Sequence, residues 1–264
     1  MTDKGKIPKH DRRDPMDRIL LVTGGSRGIG AATCRLAAAE GYHVAVNYVS
    51  DATAAETLVA ECRAKGVRAE AFKADMGEEE DIRRLFAEID DRLGRLTHFV
   101  NNAGITGQVS RLDAASSETI RACIDVNVTG AIFAAQEAVR RLSPKHGGRG
   151  GSIVNVSSAA SLLGGPNEYV WYAASKGAID ALTIGLSKEL AGENIRVNAV
   201  QPGLIETDIH ARSSNAPERL ARLTPLIPMG RTGSAEEVAR TILFLLSDAA
   251  SYVTGAFVRV TGGR

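Results

Sequence analysis

Only three cysteines, one tryptophan and eight prolines occur in the 264 residues, and the formal net charge is +1. Cys34, Cys62 and Cys123 are odd in number and scattered, with no CxxC pair, which excludes a disulfide-stapled scaffold and matches reduced thiols in a cytoplasmic protein. The histidines, His10, His43, His98, His146 and His210, have no metal-ligand spacing, so no metal site is expected. A near-neutral chain gives no electrostatic basis for binding nucleic acid or an anionic membrane. The apolar run Ile242 to Leu246 is far too short to span a bilayer and reads as part of a core helix. Residues 1–17 are charged, carry no apolar signal-peptide core and are expected to form a flexible tail.

What remains is an ordinary globular composition, 44% hydrophobic and 24% charged, with enough chain in residues 18–264 for one large α/β domain. Strand and helix patterns alternate. Strands are expected at Arg18 to Val22, Tyr42 to Tyr48, Val67 to Ala74, Leu96 to Val100, Ile153 to Val156, Ile195 to Val200 and Ala256 to Val260. Helices are expected at Ala31 to Glu40, Ala52 to Lys65, Glu78 to Leu93, Ser116 to Leu142 as one long helix, from about Glu168 onward, and at Ser234 to Leu246. Such alternation implies right-handed βαβ crossovers and a doubly wound, mostly parallel, Rossmann-like sheet with helices on both faces. Ligands then bind at the carboxyl ends of the strands.

Chemistry-bearing residues gather at those ends. After the first strand comes Thr23-Gly24-Gly25-Ser26-Arg27-Gly28-Ile29-Gly30, a glycine-rich turn that opens a helix. Glycines let the backbone approach a ligand, and a helix N-terminus offers free N–H groups to a phosphate. The spacing is Gly-x-x-x-Gly-x-Gly rather than GxGxxG, and many such turns are only tight turns. Asp75 ends the third strand, beside Met76, and also fits a plain turn residue. Tyr172 and Lys176 stand four apart on one helix face. A pair of this kind is commonly a half-buried ring and a solvated tip. As a functional pair, an ammonium about 5 Å away at an effective dielectric near 20 is worth roughly 3 kcal/mol, or about two pKa units off a phenol. Such a phenol would suit general acid/base work.

Together these motifs resemble the short-chain dehydrogenase/reductase family from about Arg18 to the end. Thr23-Gly24-x-x-x-Gly28-x-Gly30 resembles its cofactor signature, and Asn101-Asn102-Ala103-Gly104 its central-strand motif. Asn127, Ser158, Tyr172 and Lys176 resemble its catalytic tetrad, and Pro202-Gly203 with Thr207 its nicotinamide-side loop. The resemblance implies a hydride exchanged between a nicotinamide cofactor and a carbonyl or secondary alcohol. In it Tyr172 is the general acid/base and Ser158 binds the substrate oxygen. Lys176 lowers the Tyr172 pKa and holds the cofactor ribose, while Asn127 positions Lys176 through a water-mediated proton path. Ser157 adjoins Ser158, and the stretch from Ser158 to Tyr172 is one residue longer than the commonest family spacing. Adjacent strand residues face opposite ways, so one of the two addresses the site, and Ser158 is favoured. An Asn in a helix also often bonds neighbouring backbone.

Ser26, Arg27, Ile29, Asn47, Tyr48 and Ile205 complete the expected cofactor contacts. The second strand ends Asn47-Tyr48-Val49-Ser50 with no acid before Asp51, and Arg27 could take a 2′-phosphate, so NADP is favoured over NAD; Asp51 is the residue that could reverse this. Residues 203–230 are expected to form a mobile substrate lid, with Leu204, Ile205, Ile209, Leu226, Ile227 and Met229 apolar. Glu206 and Asp208 read as lid-surface carboxylates. Ile105, Leu162, Leu163 and Pro166 are candidate walls, and the lining reads as apolar, suiting a neutral carbonyl. Trp171 is expected at a helix or subunit contact. Within the family the chain is similar to both ketoacyl-thioester reductases and sugar dehydrogenases of the glucose dehydrogenase type. The resemblance suggests a homotetramer, and the Ala-rich helices carrying Asn127 and Tyr172 fit a subunit interface. The alternative of another class is a dinucleotide-binding regulator without turnover.

Overall fold

The computed structural model describes residues 18–207 and 216–264. The expected N-terminal tail, Asp208, Ile209, His10 and His210 lie outside the described residues. Seven strands form one parallel sheet: β1 Ile19–Val22, β2 His43–Tyr48, β3 Ala69–Lys73, β4 His98–Asn101, β5 Gly151–Val156, β6 Ile195–Pro202 and β7 Phe257–Val260. Their spatial order is β3-β2-β1-β4-β5-β6-β7, with every neighbouring pair parallel. The winding reverses direction between β1 and β4, which opens a crevice at their carboxyl ends.

Helices α1 Gly28–Ala39, α2 Ala52–Arg63, α3 Glu79–Arg92, α4 Ser117–Ile124, α5 Ala131–Leu142, α6 Ala160–Leu163, α7 Val170–Leu190, α8 Ala216–Leu223 and α9 Ala235–Leu246 complete the described chain. Alternation along β1 shows how the sheet is covered on both sides. Leu20 and Val22 pack with Cys34, Leu58, Val59, Ile242 and Leu243 from α1, α2 and α9. Ile19 and Leu21 pack with Phe86, Ile89, Ala138 and Leu190 from α3, α5 and α7. A strand buried on both faces needs an unbroken apolar run, which explains why the strand signals were so legible. No helix among the described residues is long and apolar enough to cross a membrane.

Two differences from the sequence expectations bear on the site. The expected single helix over Ser116 to Leu142 is divided by a π-helical turn at Asp125–Gly130, between α4 and α5. Periodicity over 27 positions cannot register one widened turn, and such turns often accompany function. The loop before α7 contains the short α6, closes with Gly164 and Gly165 at positive φ, and holds Asn167 at φ 61. This left-handed residue lies in the stretch that is one residue longer than usual.

Candidate active site

A cleft of about 1280 Å³ runs over the carboxyl ends of the strands. Its cofactor half starts at the β1–α1 turn. Gly24 and Gly28 adopt φ of 59 and 51, and an added Cβ on Gly30 would fall 2.5 Å from the Gly24 carbonyl oxygen. The backbone folds back on itself there, and only hydrogen fits. Buried polar side chains tie the turn down. The Thr23 hydroxyl accepts from the N–H groups of Asn102 and Ala103 at 2.9 and 3.0 Å. Asn47 Oδ1 accepts from the Gly24 N–H at 2.9 Å, while its amide nitrogen donates to the Ala74 carbonyl at 3.0 Å. Asn102 donates back to the Thr23 and Gly24 carbonyls. Helix α1 has no acidic residue in its first turn, so its positive end is left for an anion.

Of the residues expected to contact a cofactor, Gly24, Ser26, Arg27, Gly28, Ile29, Asn47, Tyr48, Asp75, Met76, Ala103, Gly104, Tyr172, Lys176, Pro202, Gly203, Ile205 and Thr207 line this cleft. Thr23, Gly30 and Asn101 stand behind its wall. Thr23 is fully buried in the bonds just described, and the Asn101 amide is spent on the Ala131 carbonyl at 3.0 Å. Thr23 braces the turn from behind, and none of the three lies on the cleft wall. Asp75 lines the cleft and also closes a turn, its Oδ1 accepting from the Gly77 N–H at 2.9 Å. Arg27 Nη1 is 4.0 Å from Asp51 Oδ2, and Asp51 Oδ1 caps α2 by accepting from the Ala54 N–H.

At the junction of the two halves, Ser158 and Tyr172 both line the cleft, and the Ser158 hydroxyl stands close enough to the phenol to lower its pKa. Ser157 turns the other way, donating to the Lys176 carbonyl at 3.3 Å. Lys176 is 4% exposed; its Nζ donates to the Val156 carbonyl at 2.8 Å and stands 5.6 Å from the centre of the Tyr172 ring. Asn127, in the π-turn, accepts from the Ile105 N–H at 2.8 Å and donates to the Ile105 carbonyl and the Ser175 hydroxyl at 2.9 and 3.0 Å. Its amide thus clamps the loop after β4. A Cβ on Gly104 would fall 3.3 Å from Asn127 Oδ1 and 3.4 Å from Lys176 Nζ, so a residue without a side chain allows these two groups to converge.

Burial dominates the electrostatics of the Tyr172–Lys176 pair. Burial pushes the Tyr172 phenol up, only partly offset by the neighbouring Ser158. Burial in turn pushes the Lys176 ammonium down to about 8, against the opposing pull of Cys123 and Asp180. The simple charge-pair estimate omitted desolvation, which is the larger effect for groups this deep.

The substrate half differs from the apolar lining expected. Ile105, Leu163, Pro166, Leu204, Ile205 and Leu226 are on the wall, while Leu162 is not. Ile227 is buried in a small cluster with Leu204 and Leu223, and Met229 lines a neighbouring cavity. Glu168, Tyr169, Arg219, Arg222 and Arg264 also line the cleft. These residues went unnoticed because Arg219 and Arg222 lie some fifty positions from the Glu168 they bind. Trp171 is buried, donating its indole N–H to the Thr106 carbonyl at 2.8 Å, and is not on the cleft wall.

A glycine cradle at the switch point of a doubly wound sheet, beside Ser158 and the buried Tyr172 and Lys176, defines a nicotinamide-dependent oxidoreductase site. A family model described as enoyl-(acyl carrier protein) reductase matches residues 24–264. The uncharacterized oxidoreductase YgfF of Escherichia coli strain K12 is 50% identical, covering 93% of this chain and 99% of the relative. Among solved structures, a short-chain dehydrogenase from Burkholderia cenocepacia in complex with NADP superposes with TM-score 0.85 at 34% identity, covering 93% of this chain and 97% of the other. An NAD+-bound xylitol dehydrogenase gives TM-score 0.85 at 30% identity, covering 93% and 98%. The chain belongs to the short-chain dehydrogenase/reductase family and is an NAD(P)-dependent enzyme.

Proposed function

We propose that the enzyme interconverts a carbonyl and a secondary alcohol, with NADP as its preferred cofactor and Tyr172 as general acid/base. The observation that carries this is the meeting of Ser158, Tyr172 and the Lys176 ammonium on the wall of the glycine-lined cleft. The cradle around Gly24 and the open end of α1 fit a pyrophosphate, and Lys176, Pro202, Gly203, Ile205 and Thr207 would hold the nicotinamide side. When bound, that cofactor supplies or accepts the hydride.

The residues of the chain handle the substrate oxygen and its proton. Ser158 donates a hydrogen bond to that oxygen, and Tyr172 gives its proton as negative charge develops there. A phenol whose pKa is raised by burial keeps its proton throughout the neutral range, which suits the reducing direction. Alcohol oxidation needs the phenolate, so its rate climbs with pH. Asn127 holds the Ile105 loop against Lys176, a positioning role. Arg27 supports NADP: β2 ends without an acid, and Asp51 is engaged as the cap of α2. Segment 203–230 acts as a substrate lid. The enzyme works as a cytoplasmic homotetramer, supported by Ile132 on α5 and Ile184 on α7, each 44% exposed.

The test is a carbonyl panel followed by NADPH and NADH fluorescence, comparing wild type with Tyr172→Phe. Turnover should prefer NADPH and fall about a thousandfold in the variant, with cofactor binding retained. Cofactor binding with no turnover of any carbonyl or alcohol would return the protein to the role of a dinucleotide-binding regulator.

A further inference from the structure

The wall that faces the substrate is organised around one carboxylate and several guanidinium groups. Arg219 Nε donates to Glu168 Oε2 at 3.0 Å, Arg222 donates to Glu168 Oε1, and Arg219 also donates to the Tyr169 hydroxyl. The side chains of Arg219 and Glu168 are 10% and 12% exposed, whereas that of Arg222 is 62% exposed. Burial would raise the Glu168 pKa, but the two arginines hold it below the usual carboxylate value, so it is ionised at neutral pH. Arg264 joins the same wall and lies near enough to Tyr169 to act on its phenol. Among the described residues of the substrate half, two carboxylates, Glu168 and Glu118, stand with the guanidinium groups of Arg219, Arg222 and Arg264. Glu118 sits in the first turn of α4, just after its N-cap Ser116. The Tyr169 ring packs edge-on against Tyr172, with centroids 5.3 Å apart, and separates this cationic wall from the reacting hydroxyls.

We propose that Arg222 and Arg264 bind an oxyanion, carboxylate or phosphate, at the end of the substrate remote from its carbonyl. This inference rests on the oxidoreductase reading of the same cleft. Glu168 and Arg219 form the fixed base of the site: the carboxylate orients both arginines of α8, and the excess positive charge remains for the ligand. Arg264 is half-buried on the cleft wall and is screened less than a guanidinium in bulk water, while the exposed Arg222 is held in place by Glu168. The Tyr169 ring then sets the spacing, so the oxyanion lies beyond it while the carbonyl reaches Ser158 and Tyr172.

The experiment compares matched pairs that share a carbonyl: 4-oxopentanoate against its methyl ester, and dihydroxyacetone phosphate against dihydroxyacetone. The two pairs distinguish a carboxylate from a phosphate. In wild type at least one anion should exceed its neutral partner in kcat/KM by tenfold or more. That ratio should fall about tenfold in Arg222→Gln and in Arg264→Gln. It should not change in Arg240→Gln, an exposed residue of α9 outside the cleft. A ratio near one, or one unchanged in both cleft variants, overturns the inference while turnover of the neutral partners preserves the oxidoreductase reading. If nothing turns over, binding is read from the fluorescence of the single tryptophan, Trp171. Binding of either anion that depends on Arg222 then supports the oxyanion site and sinks hydride transfer; absence of such binding sinks both.

Discussion

The two halves of the cleft are built by different means. The cofactor half is a backbone surface, drawn tight by short polar side chains (Thr23, Asn47 and Asn102) that bond to main-chain groups within a few residues of a strand end. The substrate half is a side-chain surface, in which Arg219 and Arg222 of α8 reach across to Glu168 and Tyr169 just before α7. Backbone cradles tolerate no added atoms but accept any ligand with the same phosphate geometry. Walls made of long side chains can be altered one residue at a time, so selectivity is more easily placed there.

Substitutions in the cradle should therefore have the largest effects. Gly30→Ala puts a Cβ against the Gly24 carbonyl at 2.5 Å, where backbone must move. Overpacking of this kind costs about 2 kcal/mol in stability, and cofactor affinity should fall a hundredfold or more. Calorimetry with NADPH checks both; an unchanged Kd would show the cradle to be less rigid than its contacts imply. Smaller is the expected effect of Arg27→Ala, at the solvent-facing edge of the same half. It should lower the preference for NADPH over NADH about tenfold, as expected for loss of one charge-assisted contact. Equal losses with both cofactors would instead make Arg27 a general support of the turn.

Lys176→Met tests the seam between the halves by stability rather than rate. The folded-state pKa of Lys176 is pushed down to about 8, below the ordinary lysine value of 10.5. Between these two values the unfolded chain binds more protons, so this group adds stability as pH rises through that window. Below pH 8 the buried ammonium opposes folding. Lys176→Met should therefore melt a few degrees higher than wild type at pH 7, while turnover is lost, and the gap in Tm should shrink from pH 8 toward pH 10. A gap that is flat with pH would place the Lys176 charge in a solvated setting.

Much of the fold was legible because its signals are local. Buried parallel strands must be continuous apolar runs, as in Ile19–Val22 and Ile153 to Val156, and the glycine turn lies between a strand and a helix in sequence as in space. Lys176 and Tyr172 share a helix face by spacing alone. Legibility ended where residues meet across long separations. Thr23 and Asn101 sit in motifs that suggested cofactor contact, yet their polar atoms face the protein interior. The phenol's pKa could not be read from a Tyr–Lys spacing, since burial depends on everything packed around it.

The sequence by itself determined the alternation of strands and helices, the glycine turn and the Tyr–Lys face, because each depends on neighbours within a few residues. Tertiary structure alone decided that Ser157 turns to the Lys176 carbonyl while Ser158 stands beside Tyr172, that Asn127 lies in a π-turn clamping Ile105, and that arginines of α8 meet Glu168 on the substrate wall. Those outcomes depend on desolvation and on the directions of side chains brought together from distant parts of the chain, and neither quantity is carried by any short stretch of residues.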